Sequence, residues 1–414
     1  MHWIFVFILA CSLAIQAFLV LGFVMRVWRY RVPLIEDHTC PSVAIVLCLR
    51  GSDPFLQRTV EGLLRQDYPN YRAVIVVDHS NDPANAILAQ AMKVAHACRV
   101  DTIVLDPTND RCSLKCASLV QAVCFLKDEV SLIALLDADT IPHPTWLREL
   151  ATALVPNDVG AATGNRWYMP KVLSLASMIR YFWNAAAIVQ MYWFNIAWGG
   201  TLAFKLEAVH RAGLLERWST AFCEDTMSFS ELRKAGYRVS FVPSLMMINR
   251  ENCNLDGFYS WVKRQLLAAR LYHPSWFAVV GHGVSSAGVL AIGCGWCLYN
   301  LMVGTLDQAM ILLCSMVLFQ LGLSLLIVPM EFAVRRIVRG RGESVQWISM
   351  SAALSWSRAI FATQVVYTSA LFGCLIMRRV KWRGVQYEIR GPWDIVRSGY
   401  EPYSEDRLDS HESI

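Results

Sequence analysis

Residues 131–144 read SLIALLDADTIPHP. A short, unbroken apolar run closed by turn-forming residues is the pattern of a strand buried on both faces, and IPHP closes this one. Two aspartates, Asp137 and Asp139, stand at its end with one alanine between them. Outward from here, VAIVLCL (43–49), AVIVVD (73–78) and VDTIVLD (100–106) repeat the pattern. The segments between them, 55–66, 84–97 and 113–127, carry helical spacing. Apolar strands alternating with such helices predict a mostly parallel sheet covered on both faces, an α/β domain. Ligands of these sheets sit beyond the carboxyl ends of the strands, where Asp78, Asp137 and Asp139 all fall.

The flanks are of another kind. The uncharged apolar run from Trp3 to Met25 is long enough to cross a hydrocarbon core of about 30 Å at about 1.5 Å per residue. A signal peptide is the rival reading, but the leading MH lacks Lys and Arg and the run is too long for an h-region. Arg26, Arg29 and Arg31 follow it, so the positive-inside rule places the N-terminus outside and the next segment in the cytoplasm. After Pro274, two spans (276–303 and 309–330) are joined by the uncationic loop GTLDQ, and RRIVRGRG (335–342) returns the chain to the cytoplasm. The last apolar segment, 345–377, contains Arg358 and has basic flanks on both sides, which predicts an interfacial or re-entrant helical pair.

The chain therefore divides into an N-terminal transmembrane anchor (1–31), the α/β domain (41–250), an interfacial segment (251–275), C-terminal transmembrane or interfacial helices (276–390) and a polar tail (391–414), whose SEDRLDSHES is expected to be disordered. The expected localisation is a multi-pass integral membrane protein with its α/β domain in the cytoplasm. Composition agrees, with 55% hydrophobic against 17% charged residues. The net charge of +5 is small, and Lys and Arg gather beside apolar runs, which favours lipid-bilayer flanks over nucleic acid as a partner. Thirteen cysteines follow no regular framework, so reduced thiols are expected and a structural zinc is not supported.

Two acids at i, i+2 converge on one cation when the strand gives way to a turn, as DADT followed by IPHP does. Hard divalent ions such as Mg²⁺ or Mn²⁺ take one or two carboxylates and complete their shell with substrate phosphates, so a nucleotide diphosphate is the natural complement. Taken alone, the pair is also read as a solvated turn. In FCEDT (222–226), Glu224 and Asp225 adjoin a helical segment, where they serve either as cap residues or as a general base for an attacking hydroxyl. Asp78, in VVDHSNDP, is placed to accept hydrogen bonds from a base or ribose or to form a turn. Lys115, opening a helix in CSLKCASL, is either a phosphate-neutralising cation or a surface lysine.

LRGSDPFLQRTVEGLLRQDYPNYRAVIVVDHSNDPA (49–84), LLDADT (135–140), CEDT (223–226) and KWRGVQYEI (381–389), in this order behind a membrane anchor, resemble the family 2 type of nucleotide-sugar glycosyltransferases with a GT-A fold. Among these the resemblance is to ceramide glucosyltransferases and their bacterial relatives, over about residues 40–390. It implies a GT-A (Rossmann-like, mostly parallel sheet) cytoplasmic domain plus transmembrane helices. It also implies inverting transfer of a sugar, glucose foremost, from a UDP-sugar donor to a membrane lipid acceptor such as ceramide, assisted by Mg²⁺ or Mn²⁺. By the same resemblance, Asp78 binds the uracil-ribose part with Lys115 nearby, Asp137 contacts the nucleotide and Asp139 ligates the metal. Asp225 becomes the base that activates the acceptor hydroxyl, with Glu224 beside it in the substrate site.

One departure stands out. The family carries (Gln/Arg)-x-x-Arg-Trp before its C-terminal membrane segments, whereas VKRQLLAARLYHP (262–274) matches only Arg264, with Leu267 and Ala268 in place of Arg-Trp. Among the aromatics of 165–200, Trp198 in AWGG is the acceptor-site candidate, the rest reading as core or membrane interface. A processive polysaccharide synthase is the alternative within the fold, and it depends on the missing Arg-Trp. A non-catalytic transporter subunit would need charged residues inside its spans, yet 276–303 offers only His282, Tyr299 and two cysteines as ionisable groups.

Overall fold

The computed structural model describes residues 2–93, 98–345 and 350–404. Helix α1 (His2–Arg29) leads into β1 (Val43–Leu49), α2 (Leu56–Leu63), β2 (Tyr71–Val77), α3 (Ala84–Met92), β3 (Arg99–Val104), α4 (Leu114–Leu126) and β4 (Leu132–Leu136). Each strand lies where the apolar runs predict, and of the helix predicted over 84–97 only residues 94–97 fall outside the described residues. Then follow α5 (Trp146–Ala153), β5 (Val159–Tyr168), α6 (Leu175–Phe194), β6 (Thr201–Lys205), α7 (Leu206–Arg211), α8 (Leu214–Trp218), α9 (Ser228–Lys234) and β7 (Arg238–Asn249). The seven strands form one sheet in the order β3-β2-β1-β4-β6-β5-β7.

The sheet is mostly parallel: β1 pairs in parallel with both β2 and β4, and β5 with β7. Only β6 runs against its neighbours. The preceding helix explains this, because α6 packs among α1 and the C-terminal helices instead of crossing back over the sheet. Alternate side chains of each strand enter separate cores, as strand pleating requires. Val46, Val76 and Leu135 belong to one face, and Ile45, Ile75 and Leu136 to the other. At about 1.5–3 kcal/mol per fully buried aliphatic side chain, this two-sided burial holds the strand ends, and the carboxylates on them, in fixed positions.

Helix α10 (Leu255–Tyr272) leads to α11 (Trp276–Val303), α12 (Leu306–Gly340) and α13 (Met350–Leu375). Among the described residues, four helices are long and apolar enough to cross a membrane: α1, α11, α12 and the Arg358–Leu375 part of α13. At 35 residues, α12 spans about 52 Å, well beyond a hydrocarbon core of about 30 Å. Its last turns therefore continue into the α/β body. There Glu331 accepts from Trp167 Nε1 (3.0 Å) and from the Tyr181 hydroxyl (2.6 Å) and pairs with Arg335.

Two sequence expectations are corrected. The segment 345–377 is not a helical pair over its described part: α13 is one helix, and between Met350 and Phe372 no Gly or Pro interrupts it. Nor do the C-terminal helices run to 390 with a polar tail beyond. Residues 379–398 form an antiparallel sheet of β8 (Arg379–Trp382), β9 (Val385–Gly391) and β10 (Asp394–Ser398). The alternating V-x-Y-x-I of 385–389 supplies its buried face. Arg383 and Gly384, with φ of +47° and +76°, supply the tight turn, a conformation costly for the arginine. The SEDRLDSHES stretch lies outside the described residues from 405 onward.

Candidate active site

All eight residues singled out in the sequence line one cavity of about 210 Å³ beyond the carboxyl ends of β1, β2 and β4: Asp78, Lys115, Asp137, Asp139, Trp198, Glu224, Asp225 and Arg264. Asp53 brings its lining carboxylates to six, and Arg50, Lys115, Arg166, Arg264 and Arg383 set five cations against them. Near balance of many buried charges is costly to assemble unless ligands or pairs satisfy them.

The aspartates at the end of β4 are not solvated turn residues. Asp137 Oδ1 accepts from Lys115 Nζ at 2.6 Å, and Arg166 Nη2 lies 3.8 Å from its other oxygen. Arg166 also holds both oxygens of Asp139, at 3.0 and 3.1 Å. Burial alone would raise the Asp137 carboxyl, but Lys115 and Arg166 outweigh it and hold it below the usual carboxylate range. Asp139 goes the other way: burial, reinforced by Asp137 and Asp53, raises it despite Arg166. Asp53 contributes a buried oxygen, Oδ2, without a hydrogen-bond partner among the described residues. No group of three or more His, Cys, Asp or Glu side chains there is gathered for a metal held by protein alone. Asp139, with Asp137 and Asp53 nearby, suits an ion that shares its shell with a phosphate ligand.

Lys115 sits in the first turn of α4, whose N-cap Ser113 accepts from the Cys116 amide. Its ammonium bridges Asp137 and Glu224, each at 2.6 Å. Burial opposes its charge, but Asp137, Glu224 and Asp225 together raise its pKa well above the usual lysine value. One ammonium shared by two carboxylates does not fully compensate both, and burial pushes Glu224 up to about 7. Asp225 is oriented by three donors: the Gly199 amide on Oδ2 (2.8 Å), and the Thr226 amide (2.6 Å) and hydroxyl (2.9 Å) on Oδ1. Gly199 is obligatory here, since a Cβ at this position would stand 2.1 Å from Glu224 Oε1 and 3.2 Å from Lys115 Nζ. Gly199→Ala is therefore expected to displace Glu224 from Lys115. Chemical rate should fall by about 100-fold, with about 1–3 kcal/mol of stability lost; steady-state kinetics and thermal unfolding check the two effects separately.

Several residues of the cavity were given no role from the sequence. Arg166 lies inside the strand β5, and its guanidinium stacks over Trp198 at 4.8 Å. Arg383 comes from the turn of the C-terminal hairpin. It donates to Asp53 Oδ1 (2.6 Å) and to the Arg50 carbonyl (2.7 Å), while Arg50 Nε donates back to the Arg383 carbonyl (2.9 Å). Its neighbour Trp382 lies under the guanidinium of Arg264 at 4.6 Å. An arginine and a tryptophan thus enter the cavity from β8 and its turn, whereas at the two corresponding α10 positions Leu267 is buried in the core and Ala268 lines the cavity with only a methyl group. At the far side, Asp78 pairs with Arg50, and its Oδ2 accepts from the Tyr403 amide (3.2 Å). Its Oδ1 is buried with no hydrogen-bond partner among the described residues, free to accept from a ligand.

A second cavity of about 230 Å³ adjoins the first, between α1, α6, α10, α11, α12 and α13. The two share Trp183, Ala187, Met191, Trp198, Asp225 and Gln265 as walls. Asp225 therefore faces both a charged chamber in the α/β domain and a mostly apolar one among the C-terminal helices.

Comparison with known proteins agrees with this architecture. The mannosyltransferase PcManGT from Pyrobaculum calidifontis, solved in complex with GDP-Man and Mn²⁺, superposes with a TM-score of 0.51 at 15% identity, covering 91% of this chain and 99% of that one. An uncharacterized glycosyltransferase of Haemophilus influenzae is 22% identical over 130 residues, which is 31% of this chain and 37% of that protein. The matched stretch thus spans little more than a third of that relative. The α/β body with its mostly parallel sheet has the GT-A fold. The model of glycosyl transferase family 21 matches residues 6–393, from the first helix through the C-terminal hairpin, and narrows the resemblance carried by the acidic motifs: this chain belongs to glycosyl transferase family 21.

Proposed function

We propose that the protein transfers a hexose, glucose foremost, from a UDP-sugar to the hydroxyl of a membrane lipid such as ceramide, with inversion, at the cytoplasmic membrane face. The observation that carries this reading is the position of Asp225, on the wall common to the charged and the apolar cavity. A nucleotide diphosphate suits the first by charge, and an acyl chain suits the second, whose walls include Leu19, Val20, Phe182, Ile327 and Ile360. A polysaccharide synthase needs a hydrated, hydrogen-bonding path for its growing chain, so this apolar lining favours a lipid.

In this reading the Asp78 Oδ1 accepts from the uracil, and Asp137 contacts the ribose or diphosphate. The acceptor hydroxyl attacks the anomeric carbon while Asp225 takes its proton. The bond from that carbon to the phosphate oxygen breaks, and UDP leaves with the electron pair. Lys115, Arg166 and Arg383 face the charge that develops on the leaving phosphate, the preorganised electrostatic contribution that dominates such displacements. Asp139, with Asp137 and Asp53, would hold a Mg²⁺ or Mn²⁺ ion, which when bound neutralises the diphosphate. The orphaned Asp53 oxygen and the mutual repulsion of these carboxylates fit such a cation.

The chain on either side of α13 supports an interfacial course for that helix. Before it, Arg341 donates to the Ser244 and Met246 carbonyls, and after it, Arg270 on α10 holds the Leu375 and Met377 carbonyls. These contacts hold the chain before α13 on the α/β body and its C-terminal end on α10, which with the basic flanks favours a course along the membrane face. The test of function is purified protein in lipid nanodiscs with UDP-glucose and ceramide. A glucosylated lipid identified by mass spectrometry is expected; a lipid-free polymer, or no turnover across a panel of UDP-sugars, would refute the proposal.

A further inference from the structure

Polar side chains deep in an apolar, membrane-level cavity are costly unless they are used. The second cavity contains such a group, away from the wall shared with the charged chamber. Gln190, near the end of α6, places Nε2 2.9 Å from Nδ1 of His282, which lies about 9 Å along α11 from its start. Tyr367 of α13 reaches Gln190, and its hydroxyl donates to the Val279 carbonyl at 3.0 Å. All three residues line the apolar cavity, and none lines the charged one.

The hydrogen-bond direction fixes what this group offers. The Gln190 amide N–H donates to Nδ1, so the neutral imidazole carries its proton on Nε2. Among the described residues Nε2 meets no acceptor. The cavity thus holds, on the same lining as Asp225, a donor fixed in direction by Gln190. We propose that His282, held in this tautomer by Gln190, donates a hydrogen bond to a second oxygen of the acceptor, a carbonyl set a few bonds back from the reacting hydroxyl. The group makes the enzyme select lipids with an amide or ester beside the alcohol over simple long-chain alcohols. This proposal rests on the lipid-alcohol reading above.

The experiment uses the full chain in nanodiscs with UDP-glucose and two chain-matched acceptors, an N-acyl amino alcohol and a plain long-chain alcohol. Wild type is expected to favour the amide-bearing lipid in kcat/KM by at least about tenfold, the worth of one hydrogen bond in an apolar site. His282→Phe should lower kcat/KM on the amide-bearing lipid by about tenfold more than on the plain alcohol, so that the preference is erased, and His282→Gln, which keeps a donor, should restore part of it. Equal loss on both acceptors, or an unchanged preference in His282→Phe, overturns the proposal while the lipid-alcohol reading stands. Wild type that glycosylates neither acceptor overturns both.

Discussion

Asp225→Asn is expected to lower glycosyl transfer by about 1000-fold while leaving UDP affinity within about twofold, the range a positioned general base contributes. The substitution keeps the shape of the side chain and, with its oxygen toward Thr226, the two Thr226 hydrogen bonds, losing only the one from the Gly199 amide. What it removes is the oxygen lone pair that takes the acceptor proton. Glu224 is the natural rival for the role, because burial raises its carboxyl to about 7, near the range a base needs. Its position argues against it: Glu224 lines only the charged cavity and is held by Lys115 at 2.6 Å, whereas Asp225 faces both. Glu224→Gln should therefore weaken donor binding more than it slows the chemical step. Single-turnover rates for transfer and calorimetry for UDP separate the two, and near-normal transfer by Asp225→Asn would remove it as the base.

What the sequence disclosed and what it hid have distinct physical causes. Strands β1, β2 and β4 were legible because burial on both faces demands unbroken apolar runs, the half-exposed edge strand β3 because of its β-branched residues, and Asp78, Asp137 and Asp139 because a charge at the end of a buried run needs a reason. Asp225 stood out beside Glu224 in a short polar motif. Arg166 was hidden because it lies within a strand whose ten residues are all buried, where its pairing with Asp139 depends on a neighbouring strand end. Arg383 and Trp382 stand in the KWRGVQYEI stretch, but their place in the cavity was hidden because they reach it from a hairpin more than 300 residues along the chain from Arg50. The alternation that builds that hairpin, Val385, Tyr387 and Ile389, is present in the sequence but sits after a long apolar segment that invites a membrane reading. The apolar cavity was beyond reach altogether, since it exists only where six helices meet.

The pairing of Asp139 with Arg166 makes the metal question sharper than the motif alone allowed. Removing Asp139 takes one negative charge from the cavity and releases Arg166, which keeps Asp137 at 3.8 Å, the Tyr168 hydroxyl at 3.0 Å and its stacking on Trp198. Without divalent ions, UDP should then bind Asp139→Ala as well as wild type or better, because a freed guanidinium meets the diphosphate directly. With Mn²⁺ the order should reverse. Wild type gains affinity for UDP, and the variant loses at least about 100-fold of that gain, more than the effect of disturbing an outer-shell partner. Asp139→Asn guards against a folding artefact, since its amide oxygen still accepts from Arg166 while its charge is gone, and it should show the same loss of metal dependence. Calorimetric titration of UDP with Mn²⁺ and with EDTA reads all four states. A variant that kept the full Mn²⁺-dependent gain would make Asp139 the counter-ion of Arg166 and nothing more, and would move the search for a metal ligand to Asp53 and Asp137.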